Sequence, residues 1–252
     1  MNLRFVLFFF APFISNYLGA EVDLPTSEEL SKLEKKYSEI DRTCTKRILK
    51  NSVDISSFSS RGDARLFLGD FKGARLDYEK MIELNPNLEL SHWRLGITYF
   101  YLSEFKMASR QFEIYHQFDE VDRENGIWRF MSQFQLSGLN KARKDLLRYS
   151  QDDRPPYPWL YSMFAGEISP EDVFDRIKQQ HFPPQYEVRV LFHANLYVGI
   201  YLELTEEDPQ RAMNYLAHAT ANQYGRSTGT YMWQVARLHH ARLVRSVQKL
   251  QN

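Results

Sequence analysis

The feature that most constrains this chain is a run of three alanines with constant spacing. Ala74, Ala108 and Ala142 each lie 34 residues after the previous one, and each follows a short turn that contains Gly or Ser. The residue four positions after each alanine is aromatic or aliphatic, namely Tyr78, Phe112 and Leu146. Alanine suits a close crossing of two helices, and positions i and i+4 share one helix face. A fixed period near 34 residues therefore predicts a helix-turn-helix repeat.

Two of these units resemble complete tetratricopeptide repeats. The first is carried by Arg61-Gly62, Leu66, Gly69-Asp70-Phe71, Ala74, Tyr78, Met81 and Leu84-Asn85-Pro86. The second is carried by Leu95-Gly96, Tyr99, Ala108, Phe112 and Tyr115. A third unit keeps the register through Ala142 and Leu146, although Phe130 and Gln133 stand where the family prefers Gly and Tyr.

The resemblance spans roughly residues 55–150, which would hold three repeats. It implies an all-α fold, a right-handed solenoid of tetratricopeptide helical hairpins with a concave ligand groove. Capping helices are expected at both ends, because a terminal repeat has no neighbour to cover its apolar face. The chain is also distantly similar to bacterial envelope tetratricopeptide lipoproteins, but it has no lipid-attachment cysteine near its start.

Residues 1–20 are expected to form an export signal. Arg4 supplies the positive charge, Phe5 to about Ile14 forms an apolar run, and Leu18-Gly19-Ala20 offers a cleavage point. The run is shorter than the about 20 apolar residues of a membrane span. The predicted location is therefore periplasmic or secreted, with no integral span after cleavage. An uncleaved segment that tethers the chain to a membrane is the alternative.

The segments that flank the repeats are expected to be helical. Residues 21–54 predict an N-terminal capping helix with Ser27 as its N-terminal cap and with apolar residues spaced three or four apart. Residues 151–252 predict a shortened hairpin, a further repeat built on Ala212 and a C-terminal capping helix from Tyr231 to about Leu250. Two alternatives stay open for this half: it continues the superhelix, or it folds over the groove.

Charge and motif content argue against several classes of function. Thirty-two basic residues balance thirty-two acidic ones, whereas a strong nucleic-acid binder needs a basic surplus. The single cysteine, Cys44, excludes an intramolecular disulfide. No phosphate loop, zinc-binding His pair or nucleophile elbow is present. We therefore predict no catalytic residue, no metal ligand and no cofactor.

The inner face of the repeats is the predicted site. The first helix of each hairpin should line the concave side, where aromatic and aliphatic side chains accumulate and favour a partner protein or peptide. The residues expected to bind that partner are Asp63, Phe67, Trp93, Ile97, Phe100, Tyr101, Met131 and Phe134. The alternative is that these aromatic residues belong to the core, packed against the next repeat or covered by the C-terminal units.

One subtype of the family is not expected. Some tetratricopeptide domains hold a peptide carboxylate with a clamp of Lys, Asn and Arg. The five corresponding positions here are Ser59, Asp63, Arg94, Glu124 and Trp128, of which one is basic and two are acidic.

The predicted function is a non-enzymatic adaptor or scaffold that docks a partner segment in the aromatic groove. Two alternatives come from other classes. One is a carrier of a small apolar ligand in an enclosed pocket. The other is an enzyme with a site of dispersed residues, with His92, His116 and Asp63 near the repeats. An enclosed cavity would favour the carrier, and converging groups with shifted pKa values would favour the enzyme.

Overall fold

A computed structural model describes residues 22–149, 151, 154–205 and 208–251. The predicted export signal and its cleavage point lie outside these ranges. Over the described residues the chain is helical, with no β-strand. The all-α fold class is therefore confirmed.

From residue 22 onwards, the described part of the N-terminal half contains seven α-helices, and a 3₁₀ turn at Pro86–Ser91 joins the third to the fourth. Their bounds are α1 Ser27–Lys50, α2 Ile55–Phe67, α3 Phe71–Leu84, α4 Trp93–Tyr101, α5 Phe105–Phe118, α6 Arg123–Ser137 and α7 Leu139–Lys144.

Six further helices are described in the C-terminal half. Their bounds are α8 Tyr157–Ala165, α9 Pro170–Gln179, α10 Pro184–Thr205, α11 Pro209–Ala221, α12 Gln223–Thr228 and α13 Tyr231–Gln251.

Side-chain caps set many of the helix starts. The cap of α1 is Thr26 and not the predicted Ser27: the Thr26 hydroxyl accepts from Glu29 N at 3.2 Å, while Thr26 N donates to Glu29 at 2.7 Å. Asp70 caps α3 in the same way, through Gly73 N at 2.9 Å. These contacts satisfy amide groups that have no partner inside a helix.

Consecutive helices of the first two repeats pack against one another, and the periodic alanines lie at their contacts. Ala74, Ala108 and Ala142 are fully buried. A Cβ added to Gly62 would lie 2.5 Å from the ring of Tyr78, and one added to Gly96 would lie 2.6 Å from Phe112. Each aromatic ring four residues after an alanine therefore rests on a glycine of the preceding helix.

The third unit departs from this pattern. Its second helix, α7, ends at Lys144, so Leu146 and Tyr149 lie beyond the helix and the predicted helical register holds only around Ala142. The Tyr149 ring packs edge-on against Tyr161 of α8, with the ring centroids 5.4 Å apart. The segment after α7 therefore turns towards the C-terminal half.

The last helix, α13, lies against the N-terminal helices as well as against α11. The Tyr231 ring contacts the rings of Phe67 and Trp93, with centroid distances of 5.0 Å and 4.7 Å. The sequence predicts a helix that covers only the far end of the array. In the structure the first turn of this helix lies between side chains of α2 and α4.

Polar side chains of α13 give a physical reason for this placement. Gln234 is fully buried and its Nε2 donates to the Tyr37 hydroxyl of α1 at 2.8 Å. His239 is also buried, and its Nδ1 lies 2.9 Å from the Tyr101 hydroxyl of α4. Buried polar groups are costly unless they are hydrogen-bonded, and α1 and α4 provide their partners.

An ion-pair cluster also joins the two ends of the described chain. Arg226 of α12 contacts Asp23 Oδ2 at 2.9 Å and Glu29 Oε1 at 2.6 Å. The N-terminal end of α1 is therefore held beside the start of α13.

Among the described helices, none is both long enough and apolar enough to cross a bilayer.

Candidate functional site

The residues predicted to line an open groove are covered in the structure. Four of them are buried: Ile97, Phe100, Tyr101 and Met131. The other four are partly buried and touch the core: Asp63, Phe67, Trp93 and Phe134. The expectation of an open aromatic groove at these positions is corrected: the side chains pack in the core, and α13 covers three of them, Phe67, Trp93 and Tyr101. Partner binding by these residues stays a prediction.

The contacts of individual groove residues explain the correction. Phe67 lies between two rings, with centroids 5.0 Å from both Tyr37 and Tyr231. Tyr101 stacks on Phe71 at 4.9 Å, and its hydroxyl pairs with a histidine of α13. These side chains fill the space between helices in the manner of a core.

Asp63 has a structural role in this arrangement. It accepts a hydrogen bond from the Tyr78 hydroxyl at 2.5 Å and from Arg94 at 2.8 Å. His92 packs against the same tyrosine, with ring centroids 4.9 Å apart. Among the described residues, no hydrogen bond, ion pair or ring contact joins His116 to Asp63 or His92. The dispersed residues of the enzyme alternative therefore do not form one site.

A cavity of about 310 Å³ lies beside Trp93, where α4, α6, α8, α10, α12 and α13 meet. Its wall is rich in aromatic rings and also holds four charged side chains. The lining residues are Trp93, Phe112, Asp122, Glu124, Asn125, Trp128, Arg154, Tyr157, Arg189, His193, Tyr224, Thr230, Tyr231 and Met232.

Glu124 places a carboxyl group in this cavity. About 21% of its side chain is exposed, and the residue lines the cavity. The Tyr197 hydroxyl donates a short hydrogen bond to Glu124 Oε1, and Trp128 Nε1 donates to the same hydroxyl at 3.3 Å. His193 Nδ1 lies 4.0 Å from Glu124 Oε1 and 3.0 Å from the Tyr157 hydroxyl.

Burial shifts the pKa values of these two groups in opposite directions. Burial, and next the nearby Asp122 carboxylate, raise the pKa of Glu124 to about 7, against opposing hydrogen bonds from Tyr197 and Tyr157. Burial, and next the nearby arginines, lower the pKa of His193 to about 3. At neutral pH the cavity thus holds a neutral imidazole beside a carboxyl group that is about half ionised.

Two exposed arginines stand at the rim of the cavity. Arg154 lies over the Tyr157 ring at 5.6 Å and contacts Asp122 at 3.7 Å. Arg189 lies over the Tyr224 ring at 5.9 Å, and it forms no ion pair with a carboxylate in the described ranges. The acid is therefore recessed and the bases are peripheral.

Asn125 adds a hydrogen-bond acceptor that has no partner. Only 3% of the residue is exposed, its Nδ2 donates to Phe112 O at 2.9 Å, and its Oδ1 accepts no hydrogen bond. Asn125 lines the cavity, but its Oδ1 has almost no accessible surface, so this atom is not offered to a ligand.

Two helix faces account for most of the polar side chains. Glu124 and Trp128 are four residues apart on α6, and Arg189, His193 and Tyr197 follow the same spacing on α10. Residues four apart share a helix face. Sequence reasoning named Glu124 and Trp128 only as positions of a clamp, and it missed the face of α10. The signal was a polar stripe, Arg189-x₃-His193-x₃-Tyr197, on an otherwise apolar helix.

No group of three or more His, Cys, Asp or Glu side chains suited to a metal occurs in the part of the chain that the structure describes. No protein-family model matches the chain.

The cavity offers three kinds of interaction to a ligand. The carboxyl group can accept hydrogen bonds or balance a positive charge, the aromatic faces attract cations, and the arginines attract anions. A carboxyl group with a pKa near neutrality is also suited to proton transfer.

Proposed function

We propose that this chain is a non-enzymatic binding protein that holds a segment of a partner protein in the cavity around Glu124. The observation that carries the proposal is the combination of aromatic walls and a recessed carboxyl group in one cavity. Ligand sites are commonly concave and mostly apolar, with a few polar groups that fix orientation.

The scaffold is proposed to be a right-handed solenoid of tetratricopeptide hairpins. Support comes from the buried alanines and from the contacts of Tyr78 with Gly62 and of Phe112 with Gly96. In this proposal α1 caps the first repeat, and α13 fills the concave side where other repeat proteins leave a groove. The cavity then stands at the edge of that filled groove, with Trp93 and Tyr231 on its wall.

Binding by a partner segment requires an accessible cavity. Trp93 is partly exposed, and Arg154 and Arg189 are exposed at the rim. A volume of about 310 Å³ accommodates one or two side chains of a docked segment. A flexible loop or a chain terminus of a partner fits this geometry better than a long helix does.

The size of the cavity also favours a second candidate, the carrier of a small ligand. Small-molecule sites range from about 300 to 1,000 Å³, and this cavity lies at the lower end. The same groups would hold a free small molecule. The two candidates therefore differ only in whether the ligand is part of a partner protein or a separate molecule.

Glu124 and His193 favour a third candidate, an enzyme that uses acid–base chemistry. Their converging positions and shifted pKa values meet the criterion set out from the sequence. We rank binding first because the hydroxyl of Tyr197 and the aromatic walls fix the carboxyl group in place as a recognition element. A turnover assay on any ligand that binds would separate the two.

We also propose that the chain acts after export. This rests on the basic residue and apolar run of residues 1–20.

A pull-down from the native extract tests the proposal. The bait is the full chain, with Trp93→Ala as the cavity variant and Trp159→Ala as the matched control, because Trp159 packs on Phe182 outside the cavity. Circular dichroism must first show that all three proteins are folded. A protein recovered with the wild type and the control but lost with Trp93→Ala supports the proposal. Equal recovery with all three proteins would contradict it.

A further inference from the structure

We propose that the cavity recognises an alkylammonium group joined by a short chain to a carboxylate. In this inference the ammonium group lies between Glu124 and the aromatic rings, and the carboxylate lies at Arg189. The inference rests on the proposed binding function and specifies the chemistry of the ligand. A C-terminal lysine of a partner protein and a free ω-amino acid both have this chemistry.

The Glu124 carboxyl group has no cation in direct contact. Within the described residues no lysine or arginine forms an ion pair with it; Tyr197 and Tyr157 give it hydrogen bonds, and the Arg154 guanidinium acts on it only from a greater distance. Tyr197 is a neutral donor, and His193 is neutral at pH 7 because its pKa is about 3. A buried carboxylate is stable only when it is paired or hydrogen-bonded. A bound ammonium group would supply the missing charge.

The walls favour the same group. Two tryptophans and three tyrosines line the cavity: Trp93, Trp128, Tyr157, Tyr224 and Tyr231. Aromatic faces attract ammonium groups that lie within about 6 Å of the ring centroid, most strongly for tryptophan and where water is excluded.

The rim accounts for the anionic end of the ligand. Arg189 is exposed, lines the cavity and has no carboxylate partner in the described ranges, whereas Arg154 already contacts Asp122. A carboxylate that reaches the rim would pair with the Arg189 guanidinium. The arrangement of a recessed acid and a peripheral base thus matches a ligand whose cation enters first.

A purely apolar ligand fits the cavity less well. It would cover the Glu124 carboxyl group and offer it neither a hydrogen bond nor a balancing charge. Covering such groups without compensation is unfavourable, and polar sites reject analogues that lack the matching group. The aromatic walls alone therefore do not decide the ligand class.

Isothermal titration calorimetry on the full chain tests the inference with three probes of equal chain length. The probes are 6-aminohexanoate, hexylammonium and hexanoate. We expect 6-aminohexanoate to bind at least tenfold more tightly than either of the others. Tighter binding of hexanoate, or equal binding of all three, would overturn the inference.

Two variants assign the ends of the ligand. Glu124→Gln keeps the shape and an acceptor oxygen but removes the charge, so we expect at least tenfold weaker binding of 6-aminohexanoate. Arg189→Ala should bind 6-aminohexanoate only as tightly as the wild type binds hexylammonium. Glu167→Gln, at an exposed carboxylate that does not line the cavity, is the matched control and should bind like the wild type. Unchanged binding by Glu124→Gln would contradict the role of the carboxyl group.

Two peptides that end in lysine or in norleucine identify the source of the ligand. Preference for the lysine peptide supports a protein terminus, and binding of 6-aminohexanoate without binding of either peptide supports a free small molecule. The pull-down remains an independent result. A partner lost with Trp93→Ala but retained with Glu124→Gln would keep the proposed function and overturn the ammonium inference.

Discussion

In the hairpin of α2 and α3 buried charged side chains pair with one another, whereas at the cavity the recessed carboxyl group of Glu124 forms no ion pair with the arginines of the rim. Asp77 of α3 is almost fully buried, and both Arg61 and Arg65 contact its carboxylate, at 2.6 Å and 3.1 Å. Glu124 is also recessed, but no arginine or lysine in the described ranges forms an ion pair with it. A paired charge holds a fold together, and an unpaired one at a cavity favours a ligand.

The largest effect is expected from removing the paired carboxylate. Asp77→Ala leaves two partly buried guanidinium groups without their partner and should lower the free energy of unfolding by about 3–5 kcal/mol. Asp175→Ala, at an exposed ion pair, should change it by less than about 0.5 kcal/mol. Urea denaturation of both variants measures the difference. Similar losses in the two variants would remove the contrast between a buried and an exposed pair.

Removing the charge of Glu124, which forms no ion pair, should stabilise the fold, whereas removing Asp77 destabilises it. Because the folded-state pKa of Glu124 is raised from 4.5 to about 7, the protonated group's contribution to stability is complete below pH 4.5 and is lost as the pH rises through about 7. Glu124→Gln should therefore stabilise the chain at pH 8, by up to about 3 kcal/mol, and change little at pH 4.5.

Thermal melts at the two pH values test this prediction. The charged or titratable groups around Glu124 that contribute to its environment are Asp122, Arg154, Tyr157, His193 and Tyr197. Glu167→Gln serves again as the exposed control. A variant that is less stable than the wild type at pH 8 would show that Glu124 supports the fold and would weaken its assignment to a ligand.

A smaller effect is expected where a ring rests on a glycine. Gly96→Ala places a Cβ about 2.6 Å from the buried Phe112 ring. The overpacking should outweigh the gain in helix propensity and lower the free energy of unfolding by about 1–2 kcal/mol. The control is the same change in a Phe112→Leu background, where the loss should shrink. Additive losses in the double variant would argue against a specific contact between the two positions.

The smallest effect is expected at the link between the two halves. Tyr101→Phe removes the hydroxyl that pairs with His239 Nδ1, and it should lower the free energy of unfolding by about 1 kcal/mol. Hydrogen exchange should quicken in α13 more than in α9. Tyr186→Phe, at a ring that packs on Phe182, is the control and should leave α13 unchanged. Equal exchange in both variants would contradict an anchoring role for Tyr101.

The regular part of the fold was predictable because it repeats. The pattern of Ala74 with Tyr78 occurs again as Ala108 with Phe112, and both indicate the same kind of helix crossing. Local periodicity is enough to predict it. The early end of α7 was not predictable in this way. Tyr149 leaves the helical register because it packs against Tyr161, a contact that no local pattern encodes.

The site was harder to predict than the scaffold for a similar reason. Glu124, Tyr157 and His193 come from three helices, and only tertiary packing brings them to one cavity. Trp93 was predicted as a site residue and does line the cavity, although its neighbour there, Tyr231, comes from the far end of the sequence. The burial that raises the pKa of Glu124 also depends on that packing.

The contacts of the last helix with the first have a consequence for how the chain unfolds. In a linear repeat array each unit contacts only its neighbours, so unfolding can start at one end and stop partway. Here Gln234 and Tyr37 are hydrogen-bonded across 197 residues of sequence, and Arg226 ties α12 to the start of α1. The start of α1 and the start of α13 therefore cannot separate without breaking these contacts. We therefore expect one cooperative transition in place of stepwise melting, and slow folding, because these contacts form only after nearly the whole chain has been ordered.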